Sequence, residues 1–260
     1  MRWQRNKLRK IIEEGEIALG TGMYSFSPAL VDVAGFCGLD FCRIDTEHAW
    51  RQDGTLEHMM RAAAISDIVA LPRVDRNPDL IRKVLEVGAG GLIVPHILNA
   101  EEVAGVVRAA KFPPQGNRGF GSLCFSGRWG TRSGTEWIKW SNEETMVGVM
   151  IEDYRAVEKI DEIMSVDGLD FVLFGQSDYS VSLGIPLQTM HPKVMEGLKK
   201  TIRAAETHGK YVMKGVGFPW VKNAKKFIEM GCQLIEIGHD ITLLSSMWKK
   251  LGQKIKGIKK

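Results

Sequence analysis

The sequence predicts a (β/α)8 TIM barrel, formed as one domain over residues 1–260. Eight short, continuously apolar runs recur along the chain, and each is followed by an amphipathic segment of helical period. Eight such pairs are the number that closes a parallel barrel, and barrels of this kind take about 250 residues. No glycine-rich dinucleotide fingerprint follows the first run, which weakens the alternative of a doubly wound open sheet.

After an opening helix at about Gln4 to Glu14, Ile17 to Gly22 forms the first strand. Ser27-Pro28 starts the next helix, with Ser as N-cap and Pro at the first helical position, and Gly35 to Gly38 end it. The second strand is Asp40 to Asp45, with a helix from Thr55 to Ser66. Ile68 to Arg73 is the third, followed by a helix from Asn77-Pro78 that stops at Gly88-Ala89-Gly90. Gly91 to Pro95 is the fourth strand, with a helix from Asn99 to Ala110. The later strands are Met146 to Ile151, Leu169 to Phe174, Tyr211 to Lys214 and Gln233 to Ile237. Their helices span Tyr154 to Met164, Ser177 to Leu183 with Pro192 to His208, Pro219 to Met230 and Ile241 to Lys254. Lys111 to Asn142 breaks this rhythm. Rich in Gly, Pro, Arg and Trp, it reads as a long irregular excursion, and such excursions are usually functional.

Composition excludes several function classes. With 44% hydrophobic and 25% charged residues, the chain is an ordinary globular one. The net charge of +4 comes largely from basic clusters near the two ends, Arg2 to Lys10 and Lys249 to Lys260, which read as solvated helix faces. No aromatic or glycine motif interleaves them, so nucleic-acid binding is not expected. No apolar run reaches the roughly 20 residues of a membrane span, and no signal peptide follows the basic start. Cys37, Cys42, Cys124 and Cys232 form no CxxC pair, as expected of free thiols in a reducing, cytoplasmic setting.

In a barrel, residues just past the strand ends share one rim, where catalytic groups collect. The densest such stretch is Phe41 to Trp50, in which an apolar strand runs directly into Asp45, Glu47 and His48. An imidazole beside carboxylates can shuttle a proton; the same residues also fit a solvated helix cap. The other rim positions are Arg73, His96, Glu152, Asp178 and Asp240. Glu152 and Asp178 are hard oxygen ligands from neighbouring strand ends, suited to Mg²⁺ or Mn²⁺ with waters and substrate oxygens completing the shell. Arg73 offers a planar fork for a carboxylate or a developing enolate, or else pairs with those same acids. Together they suggest a chelated 2-oxo acid and carbon–carbon bond chemistry beside its carbonyl.

These residues also carry a family resemblance. Ile44-Asp45-Thr46-Glu47-His48-Ala49, Pro72-Arg73-Val74, Leu92 to Pro95, Phe112 to Gly119, Ile151-Glu152, Phe174 to Asp178 and Gly238 to Leu244 occur in the order found in HpcH/HpaI aldolases. The chain resembles this family of class II, metal-dependent pyruvate aldolases, the 4-hydroxy-2-oxoheptanedioate aldolase type, from about Gly15 to its last helix. The resemblance implies a divalent ion (Mg²⁺, Mn²⁺ or Co²⁺) on Glu152 and Asp178. It implies Arg73 as pyruvate binder and enolate stabiliser, and His48 with Asp45 as the acid/base pair. It places Gln176, Ser177 and Met150 in the substrate wall, and the amides near Gln176 to Asp178 on the pyruvate carboxylate. It further implies pyruvate and an aldehyde as partners, a place in aromatic-compound catabolism, and a homo-oligomer. That assembly would be a hexamer, a trimer of dimers, with the C-terminal helix exchanged between subunits.

Three positions depart from the family pattern. Met150 stands where a Gln is usual, Gln176-Ser177 replaces Pro-Ala before the ligand Asp, and Thr46 replaces a Gly. None touches the metal or arginine positions, so they bear on specificity rather than reaction class. Three alternatives stay open: a 2-oxo acid decarboxylase on the same site, a Schiff-base aldolase using Lys214 inside the barrel, and a non-catalytic 2-oxo acid binder. The excursion, with Arg118, Arg128, Trp129 and Arg132, is expected to shape the acceptor side, its arginines selecting acidic aldehydes or making subunit contacts.

Overall fold

The computed structural model describes residues 4–49 and 54–258; Arg2, Trp50, Lys259 and Lys260 of the sequence reading lie outside them. The elements run α1 (Lys7–Glu13), β1 (Ala18–Met23), α2 (Pro28–Phe36), β2 (Phe41–Asp45), α3 (Thr55–Ile65), β3 (Val69–Arg73), α4 (Pro78–Glu86), β4 (Gly91–Val94) and α5 (Ala100–Ala110). They continue with α6 (Gly134–Glu144), β5 (Met146–Ile151), α7 (Tyr154–Glu158), α8 (Ile160–Met164), β6 (Phe171–Phe174), α9 (Gln176–Ser182), α10 (Pro192–Thr207), β7 (Tyr211–Val216), α11 (Trp220–Glu229), β8 (Leu234–His239) and α12 (Asp240–Lys256). The eight strands pair in parallel in chain order, and β8 closes on β1. The (β/α)8 TIM barrel expected from the sequence is the observed fold.

Two elements differ from expectation. The excursion is not irregular throughout, because its last nine residues lie in α6. Lys111 is buried and its ammonium donates to the carbonyls of Asn142 and Thr145 at 2.7 and 2.6 Å, satisfying acceptors left open at that helix end. The helix expected from Tyr154 to Met164 is broken at Lys159 into α7 and α8. Ser27 occupies the expected N-cap of α2, but its side chain makes no capping bond.

Strand alternation divides the interior into two tiers. At the N-terminal end Phe41, Leu71, Ile93, Met146, Phe171, Met213 and Leu234 meet inside the barrel, and Leu8 and Ile12 of α1 close that mouth. Toward the C-terminal end the inward residues turn ionic: Arg43, Asp45, Arg73 and Glu236 are all buried there. Gly148 lets the lower tier fit, since a Cβ at that position would overlap the Phe171 ring. We expect Gly148→Ala to destabilise the fold by about 1–3 kcal/mol in urea denaturation, the usual cost of overpacking a filled core. An unchanged midpoint would mean that Phe171 has room to move.

Beyond the barrel, α12 and the residues just after it project an apolar row. Ile241, Leu244, Trp248, Leu251, Ile255 and Ile258 recur at alternating spacings of three and four and all are exposed. Among the described residues no helix is long and apolar enough to cross a membrane.

Candidate active site

The C-terminal ends of the strands surround a cavity of about 400 Å³, bounded by Arg73, Met150, Ser177, Asp178, Trp220 and His239. Gln176 lines it as well. Continuously apolar strands bring ionic groups to this depth, so each charge needs a partner. Asp45 at the end of β2 is fully buried. Its Oδ2 accepts from Arg73 and from Arg43 (3.0 Å), and its Oδ1 accepts the amides of Glu47 and His48 at 3.1 and 2.9 Å. Burial alone would raise the Asp45 pKa, but the His48 amide and the Arg73 charge outweigh it and hold the carboxyl at about 2.

Arg43, two residues earlier on the same inward face, grips Glu236 of β8 with Nε and Nη2 at 2.7 and 2.9 Å. Burial opposes the Glu236 charge, yet Arg43 and the nearby His239 (3.4 Å) hold its carboxyl at about 2. The Tyr24 ring lies 4.7 Å from that of His239, and the Arg43 guanidinium 5.6 Å over the same Tyr24 ring. Gly22 of β1 makes room, because a Cβ there would come 2.5 Å from the His239 ring.

The ion chain continues across the rim. Arg73 Nη1 is 2.8 Å from Glu47 Oε2, and Glu47 Oε1 is 2.7 Å from His96 Nε2. His96 offers both its amide (2.8 Å) and its Nδ1 (3.1 Å) to Glu152 Oε1. A left-handed backbone (φ 58°), uncommon for a non-glycine residue, accompanies this double contact. Glu152 is buried, and burial raises its pKa; Asp178 and Glu47 add to the rise, and the His96 amide and ring oppose it. Gly175 allows α9 to begin directly over this carboxylate: a Cβ there would lie 2.9 Å from the Glu152 Cβ and 3.1 Å from its Oε2. Asp178, in the first turn of α9, thereby shares the field of Glu152.

Among the described residues, no group of three or more His, Cys, Asp or Glu side chains is placed to hold a metal ion. The Glu152–Asp178 pair nevertheless fits a hard cation, because two adjacent carboxylates disfavour each other's charge until one is bound. Two protein oxygens suit an ion that keeps water and substrate oxygens in its shell.

The structure brings together Asp45, Arg73, Met150, Glu152, Gln176, Ser177 and Asp178 of the residues singled out from sequence. Arg73 Nη1 lies 3.8 Å from the Met150 sulfur. The expected Asp45–His48 side-chain pair does not form. Asp45 holds only the His48 amide, while the imidazole is 64% exposed and 3.8 Å from Glu47. Asp240 is committed elsewhere, accepting the amides of Tyr24 and Ser25 at 3.0 Å each to fix the turn after β1.

Lys214 must be corrected. It has outward parity on β7, and its ammonium stacks 5.2 Å over the Phe227 ring of α11, beside Cys232, in the layer between sheet and helices. The amine donates to the Gly215 carbonyl at 3.1 Å and is turned toward the helix layer rather than the lumen, which weighs against the Schiff-base reading. The excursion arginines are likewise displaced: Arg118, Arg128 and Arg132 line a cavity at the opposite end of this barrel, with Gly90 and Thr145. Sequence reasoning passed over Arg43, Glu236, Tyr24 and His239. The available signal was a lone charge inside each of two apolar strands, which demands a partner across the lumen.

Because Asp45 and Glu236 are held low, their stabilisation is complete above their unfolded pKa values of about 4. It is lost as pH falls through about 2. We expect the urea midpoint to drop steeply between about pH 4 and pH 2. A midpoint flat across that window would refute the two pairings.

The family model for HpcH/HpaI aldolase/citrate lyase matches residues 21–246. A 2-keto-3-deoxy-L-rhamnonate aldolase of Klebsiella pneumoniae subsp. pneumoniae is 33% identical, covering 92% of this chain and 88% of that protein. A crystal structure of an HpcH/HpaI aldolase from Desulfitobacterium hafniense DCB-2 superposes with a TM-score of 0.89 at 31% identity, covering 97% of both chains. Citrate synthase SbnG superposes at 0.85 with 32% identity, over 97% of this chain and all of that one. With the family match running from within β1 into α12, this chain belongs to the HpcH/HpaI aldolase/citrate lyase family.

Proposed function

We propose that this chain is a divalent-metal-dependent aldolase, a carbon–carbon lyase that reversibly cleaves a 4-hydroxy-2-oxo acid to pyruvate and an aldehyde. One observation carries the reading. Arg73 is buried, pinned between Asp45 and Glu47, and lines the cleft, while its Nε has no hydrogen-bond partner among the described residues. A fixed guanidinium with a spare donor suits an oxygen that gains negative charge during reaction. The 2-keto-3-deoxy acid named for the curated relatives carries a 2-oxo group and, beyond a deoxygenated C3, a hydroxyl at C4. That is the substrate class proposed here, in place of intermediates of aromatic-compound breakdown.

In cleavage, His48 takes the C4 hydroxyl proton, the C3–C4 bond breaks, and its electron pair passes into the enolate of pyruvate. Arg73 stabilises the enolate oxygen, and Asp45 fixes the turn bearing His48 through the amide it holds. Open amides in the first turn of α9, at Gln176 and Ser177, bind the substrate carboxylate. Mg²⁺, Mn²⁺ or Co²⁺, when bound by Glu152 and Asp178, supplies Lewis-acid polarisation of the 2-oxo group. The aldehyde then leaves and C3 of the enolate is protonated.

The test is NMR exchange of the pyruvate methyl protons in D₂O, which requires no aldehyde. Exchange that needs a divalent ion and stops with EDTA supports the reading; no exchange with any divalent ion would reject it. The alternative on the same site is a 2-oxo acid decarboxylase, in which loss of CO₂ from oxaloacetate leaves the same pyruvate enolate against the spare Arg73 donor. Faster CO₂ release from oxaloacetate than cleavage of any 4-hydroxy-2-oxo acid would select it.

The exposed row on α12 supports assembly into a homo-oligomer, with this helix packed on a neighbouring copy in the proposed hexamer. Trp248→Glu is expected to shift the mass in solution, read by light scattering, toward smaller species. An unchanged mass would place the interface elsewhere.

A further inference from the structure

A cavity of about 290 Å³ lies at the N-terminal end of the barrel, beneath the starts of β3, β4 and β5. It is far from the site described above, which occupies the other ends of the same strands. Two of its lining side chains are almost wholly buried, Arg118 at 5% exposure and Trp137 at 1%. Among the described residues, Arg118 Nε and Trp137 Nε1 have no hydrogen-bond partner. Both groups are donors that cannot accept, so only an acceptor can satisfy them. Arg118 rests 4.6 Å over the Phe112 ring, and its Nη1 donates to Ser141 Oγ at 3.4 Å. The charge of Glu86 acts on Arg118, but that carboxylate is bonded to Arg82 at 3.3 Å, and no carboxylate hydrogen bond to the buried guanidinium is seen among the described residues, which is costly.

The surrounding charge points the same way. Arg5, Arg128 and Arg132 also line the cavity, and burial together with the neighbouring Arg128 lowers the Arg132 pKa. The carboxylate in the wall, Glu144, accepts the Asn6 amide at 2.7 Å and faces Arg5 at 3.6 Å. The apolar part of the lining includes Met60, Ala63, Leu85 and Phe125.

We propose that this cavity is a second binding site, for a small organic carboxylate with a compact aromatic or branched body. The carboxylate would accept from Arg118 and Trp137, and the body would lie against Phe125 and Met60. An inorganic oxyanion satisfies the donors but leaves the apolar walls unfilled, so the two are separable by experiment.

The test is calorimetric titration of the full chain with benzoate, propionate and inorganic phosphate. Arg73→Ala is included to weaken any benzoate held in the active site, since it deletes a guanidinium and an unpartnered donor from that cleft. Saturable benzoate binding that survives Arg73→Ala, exceeds propionate binding, and weakens about tenfold or more in Arg118→Gln is the expected result. Trp137→Phe keeps the ring and deletes the N–H, so weaker binding in that variant, with the melting temperature retained, supports the site even where Arg118→Gln folds poorly. Three results would overturn the proposal: no saturable benzoate binding, binding lost in Arg73→Ala alone, or binding of phosphate but not benzoate.

Discussion

Replacing Arg73 with alanine is expected to lower kcat/KM by about 10²-fold or more, with pyruvate methyl exchange falling in parallel. The size follows from its position. Arg73 is a planar donor array buried at the end of β3, fixed on Asp45 and Glu47 before substrate arrives. Such a group costs no reorganisation as charge develops, which is why its loss falls more heavily on rate than on ground-state binding. Asp45 keeps Arg43 at 3.0 Å in the variant, so the fold should survive. Arg73→Lys sharpens the test: an ammonium retains the charge but cannot span Asp45, Glu47 and substrate as a planar fork does. Lysine should therefore restore stability and leave most of the rate deficit. Near-wild-type turnover in Arg73→Ala would remove the assignment, whatever happens to binding.

The largest loss of stability is expected from Arg43→Met, about 3–5 kcal/mol in urea denaturation. The methionine strands Glu236 as a buried, unpaired carboxylate and takes one cation from Asp45. Coupling makes this diagnostic. If the cost is the orphaned charge rather than lost volume, Arg43→Met combined with Glu236→Leu should recover most of the stability, since apolar residues of similar size replace buried ion pairs well. Additive losses in the double variant would show that the two side chains act independently. Retained stability would leave a separate effect on activity to read, because His239 and Tyr24 lean on the same pair at the cleft wall.

The barrel was legible in the sequence because its signal is local and repeated. Eight apolar runs with amphipathic partners declare a covered parallel sheet, and eight units close it. Asp45, Arg73 and Glu152 were legible for a related reason: a charge ending an apolar strand is expensive unless it faces a rim, so residue type and place in the chain suffice to flag it. The break at Lys159 and the helix inside the excursion were not legible, because both depend on what the segments pack against.

Tertiary structure alone decided who pairs with whom. Asp45 and His48 are three residues apart, yet one is fully buried on two guanidiniums and the other faces solvent. Arg43 and Glu236 are distant in sequence, and only closure of β8 on β1 sets their side chains 2.7 Å apart. Lys214 shows the converse: one step of strand parity sends its amine to Phe227 instead of the lumen, and parity is fixed by register across the sheet. The chain's own order thus determined the fold and the chemistry available at its rim. The partners of each charge follow from barrel closure, which sets distances that no local pattern encodes.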